Sequence, residues 1–342
     1  MFAMRDEAAR AAHRAAVVGA GSWGTALAIH LSHVGHDVVL WGRDRELVAQ
    51  MAAQRTNPTY LPTVAFPELL TVSADMPAAV AGVRYLVIAV PSHGLRGVMK
   101  QVAPHVPAGA VLVSATKGLE ASTLERMSQV MTDETSGRHP VVVLSGPSFA
   151  AEVARGLPTA LVAASSDSAA VAAVQEEFRG NAFRVYGSDD VAGVEIGAAL
   201  KNVIAIAAGI VQSMGLGHNA MSALITRGLA EISRLAFAMG GRRETLSGLS
   251  GLGDLVLTCT GELSRNRGVG IELGRGRSLD EILAATKMVA EGVRTTGVAL
   301  QLAAQHGIEL PIAAQMQMVF DGVKKPREAA AELMGRPQKS EH

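Results

Sequence analysis

Residues 15–29 read AAVVGAGSWGTALAI, in which a short apolar run leads into three glycines and then into residues with helix-like spacing. Gly19 permits a tight turn from strand to helix, Gly21 lets a ligand approach the backbone, and Gly24 allows the helix to lie close to the strand. A diphosphate at this turn would meet the unpartnered N–H groups of the helix start. Because the motif lies between a predicted strand and a predicted helix, it predicts a dinucleotide-binding turn rather than a structural turn alone.

The second predicted strand bears on which dinucleotide is bound. A site selective for NAD usually offers a carboxylate about 20 residues further on, where it holds the ribose 2′-hydroxyl. Here the strand 38–41 is followed by Gly42, Arg43 and Asp44. The guanidinium of Arg43 suits the 2′-phosphate of NADP, although Asp44 leaves open that Arg43 is only a solvated turn residue. The pattern therefore favours NADP over NAD.

Short apolar runs alternate with helix-like stretches through the first half of the chain. Several runs are rich in valine and nearly continuous in apolar residues, as expected for strands covered by helices on both faces. The alternation predicts an α/β fold with an N-terminal Rossmann-type, doubly wound, mostly parallel sheet. The predicted strands are 15–18, 38–41, 85–90, 111–115, 141–144 and 160–164.

The sequence pattern changes near residues 188–190. Beyond them, long stretches of Ala, Leu and Ile have helical spacing and almost no β-branched runs. This change predicts an all-helical C-terminal domain. The expected organisation is a flexible extension over residues 1–14, a dinucleotide-binding domain over 15–188 and a helical substrate and catalytic domain over 189–335.

The composition argues against several classes of protein. The 342 residues carry 31 Lys and Arg against 31 Asp and Glu, unlike a polybasic nucleic-acid binder. The longest apolar run, 203–211, is far shorter than the roughly 20 residues that cross a bilayer, and residues 1–14 lack the apolar core of a secretory signal. The single cysteine, Cys259, fits a reducing compartment. We therefore expect a soluble, cytoplasmic protein with no membrane insertion and no nucleic-acid partner.

Lys201 lies in a segment, residues 191–211, that is otherwise almost entirely apolar. If this segment is a helix, the residues three and four positions away from Lys201 are all small or apolar. The lysine either extends along its apolar stem to the surface, or lies in a cleft with a pKa adjusted for proton transfer. We favour the second interpretation, because a solvated face would carry other polar residues.

Further polar residues follow predicted strands, where ligands bind in sheets of this kind. Residues 116–118 (TKG) follow the strand 111–115, and residues 145–148 (SGPS) follow the strand 141–144. Ordinary turn chemistry explains either segment taken alone. Later in the chain, residues 251–254 (GLGD) and 263–268 (LSRNRG) combine a flexible backbone with hydrogen-bond donors for an anion. Arg265 in the second segment is suited to bind a phosphate with two hydrogen bonds.

Seven segments of the chain carry a resemblance to a known family. They are GAGSWGTALA at 19–28, ATKGLE at 115–120, SGPSFAAEV at 145–153, LKNVIAIAAG at 200–209, LITRGLAEISRL at 224–235, GLSGLGDLVLTCTGELSRNRGVG at 248–270 and VAEGVRTT at 289–296. In this order they resemble the bacterial NAD(P)-dependent glycerol-3-phosphate dehydrogenases. The resemblance implies a helical second domain, a homodimer, and reversible hydride transfer between sn-glycerol 3-phosphate and dihydroxyacetone phosphate for phospholipid synthesis.

The resemblance also implies roles for individual residues, none of which requires a metal. Lys201 would be the general acid and base, Asp254 would orient it, and Lys117 would add positive charge near both substrate and cofactor. Further substrate contacts would come from Gly146, Ser148, Asn202, Thr258, Ser264, Arg265 and Asn266, of which the last three would receive the phosphate. Beside Gly19, Gly21, Gly24 and Lys117, the cofactor contacts would be Ser22, Trp23, Arg43, Tyr60, Ala150, Arg265, Val289 and Glu291.

Two other functions are compatible with parts of this pattern. A related dehydrogenase, such as a 6-phosphogluconate dehydrogenase or ketopantoate reductase relative, also uses a lysine on the helical domain. The segments 145–150 (SGPSFA) and 264–266 (SRN) favour glycerol phosphate over these. A non-catalytic NADPH sensor would keep the glycine turn but would not need Lys117, Lys201 and Asp254 together.

Overall fold

The computed structural model describes residues 12–285, 290–338 and 340, and its N-terminal part is built on an eight-stranded sheet. The order of strands in this sheet is β10-β9-β8-β7-β6-β1-β2-β5, and β3 and β4 form a separate antiparallel pair. The strands are β1 (Arg14–Val18), β2 (Asp37–Trp41), β3 (Thr56–Asn57), β4 (Leu61–Ala65), β5 (Leu70–Ser73), β6 (Tyr85–Ile88), β7 (Val111–Ser114), β8 (Val141–Ser145), β9 (Thr159–Ala164) and β10 (Phe183–Ser188).

Helices surround this sheet and predominate in the chain that follows it. Within the sheet-containing part they are α1 (Ser22–His33), α2 (Arg45–Gln54), α3 (Met76–Val80), α4 (Leu95–Val102), α5 (Met127–Glu134), α6 (Ala150–Ala154) and α7 (Ser168–Phe178). The later helices are α8 (Val191–Ser213), α9 (Gly217–Ala238), α10 (Arg243–Ser247), α11 (Asp254–Thr260), α12 (Arg265–Gly274), α13 (Leu279–Ala284), α14 (Glu291–Gln305), α15 (Pro311–Phe320) and α16 (Pro326–Met334). Short 3-10 turns lie at Ser92–Gly94 and Ala103–His105, and a π-helical turn, Leu249–Gly253, precedes α11.

The sheet confirms the predicted fold class. All six predicted strands are present, and adjacent strands run parallel except for the antiparallel pair β8 and β9. Both faces are buried: Val17 and Val87 pack on the side of α1 and α7, and Val18 and Ile88 pack on the side of α3, α4 and α5. This two-sided burial explains why the strand sequences are apolar without alternation.

The strands that the sequence pattern did not predict lie at the margins of the fold. β5 and β10 are the two edge strands of the sheet, and β3 and β4 lie outside it. Few of their residues are buried: β4 and β5 have one buried residue each, and in β10 the buried Phe183 and Val185 alternate with exposed residues. Such short, partly polar segments lack the continuous apolar run that marks a central strand.

The N-terminal end of the sheet differs by one residue from the prediction. Arg14 belongs to β1 rather than to the predicted extension over residues 1–14, because it pairs in register with Asp37 and its carbonyl accepts a hydrogen bond from Arg84 N. Residues 1–11 of that extension lie outside the described residues. The last strand ends at Ser188 and α8 begins at Val191. The division into domains at 188 and 189 stays a prediction.

Helix α8 forms the centre of the helical part, which confirms the predicted change of structure after residue 188. Residues 193–210 are all buried, and α9, α11, α12 and α14 pack around them. α8 is long and apolar enough to cross a membrane, but 94% of its most apolar 18-residue window is buried inside the protein. The run 203–211 underestimated this length, because Glu195, Lys201 and Asn202 interrupt the apolar sequence while being buried themselves.

The order of the strands places four loops at one edge of the sheet. β8, β7, β6 and β1 are neighbours, and the parallel pairing of β7, β6 and β1 with their neighbours brings the carboxyl ends of all four together. Carboxyl ends of such strands are where ligands bind. The glycine turn, Ser92, Lys117 and the 145–148 segment therefore gather at this edge.

Candidate active site

The glycine turn after β1 leaves the start of α1 open. Gly19 has φ +119°, and a Cβ there would lie 2.5 Å from Ala89 O. A Cβ on Gly24 would lie 1.9 Å from Gly19 O, whereas a Cβ on Gly21 would meet nothing within 4 Å. Gly21 is the N-cap of α1, and no side chain caps this helix. The turn therefore combines tight packing with an open helix N-terminus, which fits the diphosphate of a dinucleotide.

The β3–β4 pair packs beside this turn. Asn57, which is fully buried, donates from Nδ2 to Ala20 O at 2.9 Å and to Thr25 Oγ1 at 2.8 Å. Its Oδ1 accepts from Tyr60 N at 3.1 Å, and Ser22 Oγ donates to Tyr60 O at 3.1 Å. Asn57 thus holds Tyr60 next to Ser22. A lone asparagine in a short polar strand offered no signal for this role in the sequence.

Arg43 lies where β2 leaves the sheet. Its side chain is exposed and has no hydrogen-bond partner among the described residues. The neighbouring Asp44 is the N-cap of α2, and its Oδ1 accepts from Glu46 N at 3.0 Å and Leu47 N at 3.1 Å. The Asp44 carboxylate therefore caps α2 and does not bind Arg43, whose guanidinium has no partner among the described residues.

Two other predicted cofactor residues pack near the turn. Trp23 is partly buried against the core of the sheet, and its indole Nε1 is enclosed without an acceptor in the described part of the chain. Ala150 begins α6, which packs on α1. Val289 lies outside the described residues.

A buried carboxylate joins two lysines from different parts of the protein. Lys117 Nζ donates to Asp254 Oδ2 at 2.7 Å and to Gly146 O at 3.2 Å. Lys201 Nζ donates to Asp254 Oδ1 and, at 2.9 Å, to Thr258 Oγ1. Lys201 is 6% exposed and Asp254 1% exposed. The lysine therefore does not extend to the surface, and its burial with a carboxylate partner is the arrangement expected of a cleft.

Three separate parts of the chain place the members of this cluster. Lys201 lies in the middle of α8, Asp254 is the first residue of α11, and Thr258 lies one turn later on the same face of α11. Lys117 follows β7, in a segment held by Arg96. Arg96 binds Glu120 through Nε at 2.8 Å and through Nη2 at 2.6 Å. Charge-assisted contacts of this kind give the segment a defined geometry.

The environment of the cluster changes the protonation of its members. Burial, together with the charge of Lys117, lowers the pKa of Lys201 to about 7 in spite of the opposing effect of Asp254. Burial opposes ionisation of Asp254, but the two lysines outweigh it and leave the pKa of this carboxyl below its ordinary value. Burial raises the pKa of Cys259 to about 12, so this thiol stays neutral. An amine that titrates near neutral pH is suited to general acid–base catalysis.

The 145–148 segment lies against the same cluster. Gly146 has φ +138°, and its carbonyl accepts both the 3.2 Å bond from Lys117 and a 3.0 Å bond from Ser148 Oγ. A Cβ on Gly146 would lie 3.0 Å from Leu161 Cδ2. The backbone conformation and the close packing both favour glycine here.

The start of α12 carries the residues predicted to bind phosphate. Ser264 is the N-cap of α12, and its Oγ accepts from Arg267 N at 3.3 Å. Arg265, the first helical residue, is exposed and makes no side-chain hydrogen bond with any residue that the structure describes. A helix N-terminus beside an unpaired guanidinium is suited to a phosphate group.

Two amides connect α12 with α8 and α14. Asn266 Nδ2 donates to Asn202 Oδ1 at 3.0 Å, and Asn266 Oδ1 accepts from Gly292 N at 3.1 Å. Glu291, the residue before Gly292, accepts from Ser92 N at 3.0 Å and Ser92 Oγ at 2.6 Å. Ser92 was not among the predicted residues, although it follows β6 as Lys117 follows β7.

The chain matches the N-terminal model of the NAD-dependent glycerol-3-phosphate dehydrogenases over residues 14–171, and their C-terminal model over residues 190–331. Two curated relatives, both called glycerol-3-phosphate dehydrogenase [NAD(P)+], are 52% identical to it. The relative from Koribacter versatilis is matched over 96% of this chain and 98% of its own length, and that from Thioalkalivibrio sulfidiphilus over 95% and 98%.

Solved structures give the same result. The crystal structure of glycerol-3-phosphate dehydrogenase from Coxiella burnetii is 42% identical, with a TM-score of 0.91 over 95% of this chain and 99% of that one. A ketopantoate reductase from Ralstonia eutropha, 17% identical with a TM-score of 0.59, shares the fold alone. With both family models matched in order and relatives alike over nearly their whole length, the chain belongs to the NAD(P)-dependent glycerol-3-phosphate dehydrogenase family.

Proposed function

We propose that this chain interconverts sn-glycerol 3-phosphate and dihydroxyacetone phosphate with NAD(P), and so supplies glycerol 3-phosphate for phospholipid synthesis. The observation that carries this proposal is the proximity of a proton-transfer group to an anion site. Lys201 is followed by Asn202, which lies 3.0 Å from Asn266 of the α12 start. A short substrate with a phosphate at one end and a carbonyl near the other would reach from the start of α12 to Lys201.

Lys201 acts as the general acid in the direction of reduction. With a pKa near 7 it holds a proton that it gives to the carbonyl oxygen of the substrate, and solvent then reprotonates it. In the reverse direction the neutral amine takes the proton of the secondary hydroxyl. Asp254 and Thr258 accept two of the N–H bonds of Lys201, which orients the remaining one. When bound, the nicotinamide ring supplies or accepts the hydride.

Lys117 provides a second positive charge at the same place. Its ammonium is held by Asp254 Oδ2 and Gly146 O, so its position is set before substrate binds. A fixed cation beside the carbonyl stabilises the negative charge that develops on the oxygen in the transition state. Gly146 and Ser148 form the adjoining wall of the substrate site.

The start of α12 receives the substrate phosphate. Arg265 supplies paired donors and a positive charge, and the free N–H groups of the first turn, which Ser264 begins, add the partial charge of a helix N-terminus. Asn266 and Asn202 contribute amide groups between this end and Lys201. Charge-assisted bonds to phosphate are strong enough to determine which substrates bind.

The same chain binds the dinucleotide across the carboxyl edge of the sheet. The open turn at Gly21 holds the diphosphate, and Arg43 favours NADP over NAD because its guanidinium is free to meet a 2′-phosphate. The other proposed cofactor contacts are Ser22, Trp23, Tyr60, Lys117, Ala150, Arg265, Val289 and Glu291.

We also propose that the protein is a cytoplasmic homodimer with a dinucleotide-binding domain over 15–188 and a catalytic domain over 189–335. The buried cysteine suits a reducing compartment, and the boundary falls between β10 and α8.

An absorbance assay at the nicotinamide band tests the proposed function. Purified protein is mixed with dihydroxyacetone phosphate and either NADPH or NADH, and unphosphorylated dihydroxyacetone serves as the control substrate. We expect oxidation of the dinucleotide with the phosphorylated substrate, faster at low NADPH than at low NADH. Absence of turnover with both dinucleotides contradicts the proposal.

A further inference from the structure

The first residue of α14 connects the helical part of the protein to the sheet. Both oxygens of the Glu291 carboxylate accept hydrogen bonds from one residue, Ser92: Oε1 from the backbone N at 3.0 Å and Oε2 from Oγ at 2.6 Å. Ser92 is 4% exposed and begins the 3-10 turn after β6, beside the glycine turn. Two charge-assisted hydrogen bonds between a buried serine and a carboxylate hold the start of α14 in one position against the sheet.

The next residue along α14 determines the orientation of two amides. Gly292 N donates to Asn266 Oδ1 at 3.1 Å, and a peptide N–H can only donate. Asn266 must therefore present its oxygen to Gly292 and its NH₂ group to Asn202, whose Oδ1 accepts at 3.0 Å. The NH₂ group of Asn202 is then the last group in this series of hydrogen bonds. Asn202 directly follows Lys201 in the sequence.

This last NH₂ group is available to a ligand. Asn202 Nδ2 has no acceptor among the residues that the structure describes, and it is not one of their fully enclosed unpaired atoms. It is a donor with a defined orientation, on the residue that follows the proton-transfer group in α8. The contact between α14 and α8 is also tight, since a Cβ on Gly292 would lie 2.6 Å from Asn202 O. A shift of α14 is therefore transmitted to Asn202.

We propose that Ser92 is a positioning residue for the reaction: by holding Glu291 it fixes the start of α14, and through Gly292 and Asn266 it keeps the Asn202 NH₂ group directed at the substrate. The inference rests on the proposed function, because it requires that substrate binds beside Lys201. The series of contacts from Ser92 to Asn202 links the proposed cofactor site to a hydrogen-bond donor for the substrate on α8, so the two sites are positioned together.

The protein contains a matched control for this contact. Ser128, near the start of α5, donates to Glu195 of α8 from its backbone N at 2.8 Å and from Oγ at 2.6 Å. The two serine–carboxylate bonds have nearly the same geometry as those of Ser92 and Glu291, and this pair also joins the two parts of the protein. Glu195 differs in being more buried than Glu291 and in also binding Arg126 Nη1 at 2.6 Å. No hydrogen bond among the described residues connects this pair to Asn266 or Asn202. Ser128→Ala therefore measures what the loss of such a bond does to the fold alone.

A double-mutant cycle tests the proposal. Steady-state kinetics with dihydroxyacetone phosphate and NADPH are measured for Ser92→Ala, Asn202→Ala and the double variant, and for Ser128→Ala in the same two backgrounds. We expect Ser92→Ala to lower kcat/KM about tenfold in the wild-type background and less than about twofold in the Asn202→Ala background, because coupled residues are not additive. Ser128→Ala is expected to act equally in both backgrounds.

Two further measurements distinguish a positioning role of Ser92 from an effect on NADPH binding. Ser92→Ala keeps Glu291, the proposed cofactor contact, so the Kd for NADPH, followed by fluorescence, is expected to change far less than kcat/KM. Ser92→Cys, whose side chain is slightly larger and is a weaker donor, should lie between wild type and Ser92→Ala. Equal factors for Ser92→Ala in both backgrounds overturn the proposal, as does a loss of NADPH affinity as large as the loss of kcat/KM. If the wild-type protein itself does not reduce dihydroxyacetone phosphate, the proposed function fails together with this inference; multiplicative effects in an active enzyme overturn the inference alone.

Discussion

Lys117 Nζ lies 2.7 Å from Asp254 Oδ2, although 137 residues separate the two in the sequence. Because Lys201 binds the other oxygen of the same carboxylate, one negative charge is shared between two ammonium groups. When both lysines are protonated, the buried cluster has a net charge of about +1. An anionic substrate compensates this charge, which agrees with a phosphate ester as the ligand.

The role of Lys201 is tested by Lys201→Met, which keeps an apolar stem of similar length but cannot transfer a proton. We expect kcat for dihydroxyacetone phosphate reduction to fall by about 100- to 10,000-fold, the range typical of general acid–base catalysis. The Kd for NADPH, measured by fluorescence titration, should stay within about threefold of wild type. Turnover close to that of the wild type would remove Lys201 from the mechanism.

The lowered pKa of Lys201 predicts opposite pH dependences for the two directions. Reduction requires the protonated ammonium, so kcat/KM for dihydroxyacetone phosphate should fall as the pH rises above about 7. Oxidation requires the neutral amine, so kcat/KM for glycerol 3-phosphate should fall as the pH drops below about 7. Rate profiles from pH 5.5 to about pH 9 check this, with NADPH binding as the control that should lack the step. Parallel profiles in both directions would contradict the assignment.

Arg265→Ala should weaken phosphate-bearing substrates selectively. Hydrogen bonds to charged groups contribute about 1.5–3 kcal/mol, so kcat/KM for dihydroxyacetone phosphate should fall roughly 10- to 150-fold. At saturating NADPH, which offsets the loss of the proposed cofactor contact of Arg265, the slow reaction of unphosphorylated dihydroxyacetone should change little. Arg275→Ala, at the other end of α12 and paired only with Glu272 in the described structure, is the control and should have no effect. A variant that binds the phosphorylated substrate normally would disprove the clamp.

Arg43→Ala tests the preference for NADP. Loss of the guanidinium should raise KM for NADPH about tenfold or more, since a charge-assisted bond to the 2′-phosphate is lost, and should leave KM for NADH within about twofold. Initial rates at saturating dihydroxyacetone phosphate give both values. Equal increases for the two dinucleotides would show that Arg43 does not read the 2′-phosphate.

Glu231, which has no role in the proposed reaction, should make the stability of the folded protein depend on pH. Burial raises its pKa to about 7, against the hydrogen bonds that it accepts from Ile312 N and Ala313 N at the start of α15. The folded protein then binds a proton that the unfolded chain releases near its ordinary carboxyl pKa, so this contribution to stability is lost as the pH rises towards and through 7.

Glu231→Gln removes this titration while keeping an acceptor for Ile312 N. We expect similar melting temperatures for variant and wild type at pH 5 and a variant that melts about 2–6 °C higher at pH 8. Thermal unfolding followed by circular dichroism at both pH values measures the difference. A constant difference between pH 5 and pH 8 would show that Glu231 is ionised throughout.

The central strands, and their alternation with helices, could be predicted from the sequence, because the pattern that marks each element involves residues only a few positions apart. Runs such as 85–88 and 111–114 are apolar on both faces, and this marks them without any knowledge of their partners. β10 was not readable, because at the edge of the sheet its residues alternate between buried and exposed.

The predicted site residues came from local chemistry and from resemblance, whereas the residues that hold them in place did not. Asn57 and Ser92 are common residue types in short polar segments, and nothing nearby in the sequence distinguishes them from ordinary turn residues. Their roles depend on which distant groups the fold brings within about 3 Å, and no local pattern contains this information.

Local sequence patterns were enough to predict the Rossmann-type sheet, the helical part that follows it, the glycine turn and the importance of a lysine within an apolar helix. Three contacts became known only from the folded chain: Lys201 shares a buried carboxylate with Lys117, Asp44 caps α2 next to Arg43, and Ser92 holds the start of α14. The difference lies in how far apart in the sequence the interacting groups are. Backbone conformation follows from side chains a few positions apart, but protonation and orientation at the site follow from desolvation and hydrogen bonds between groups far apart in the chain.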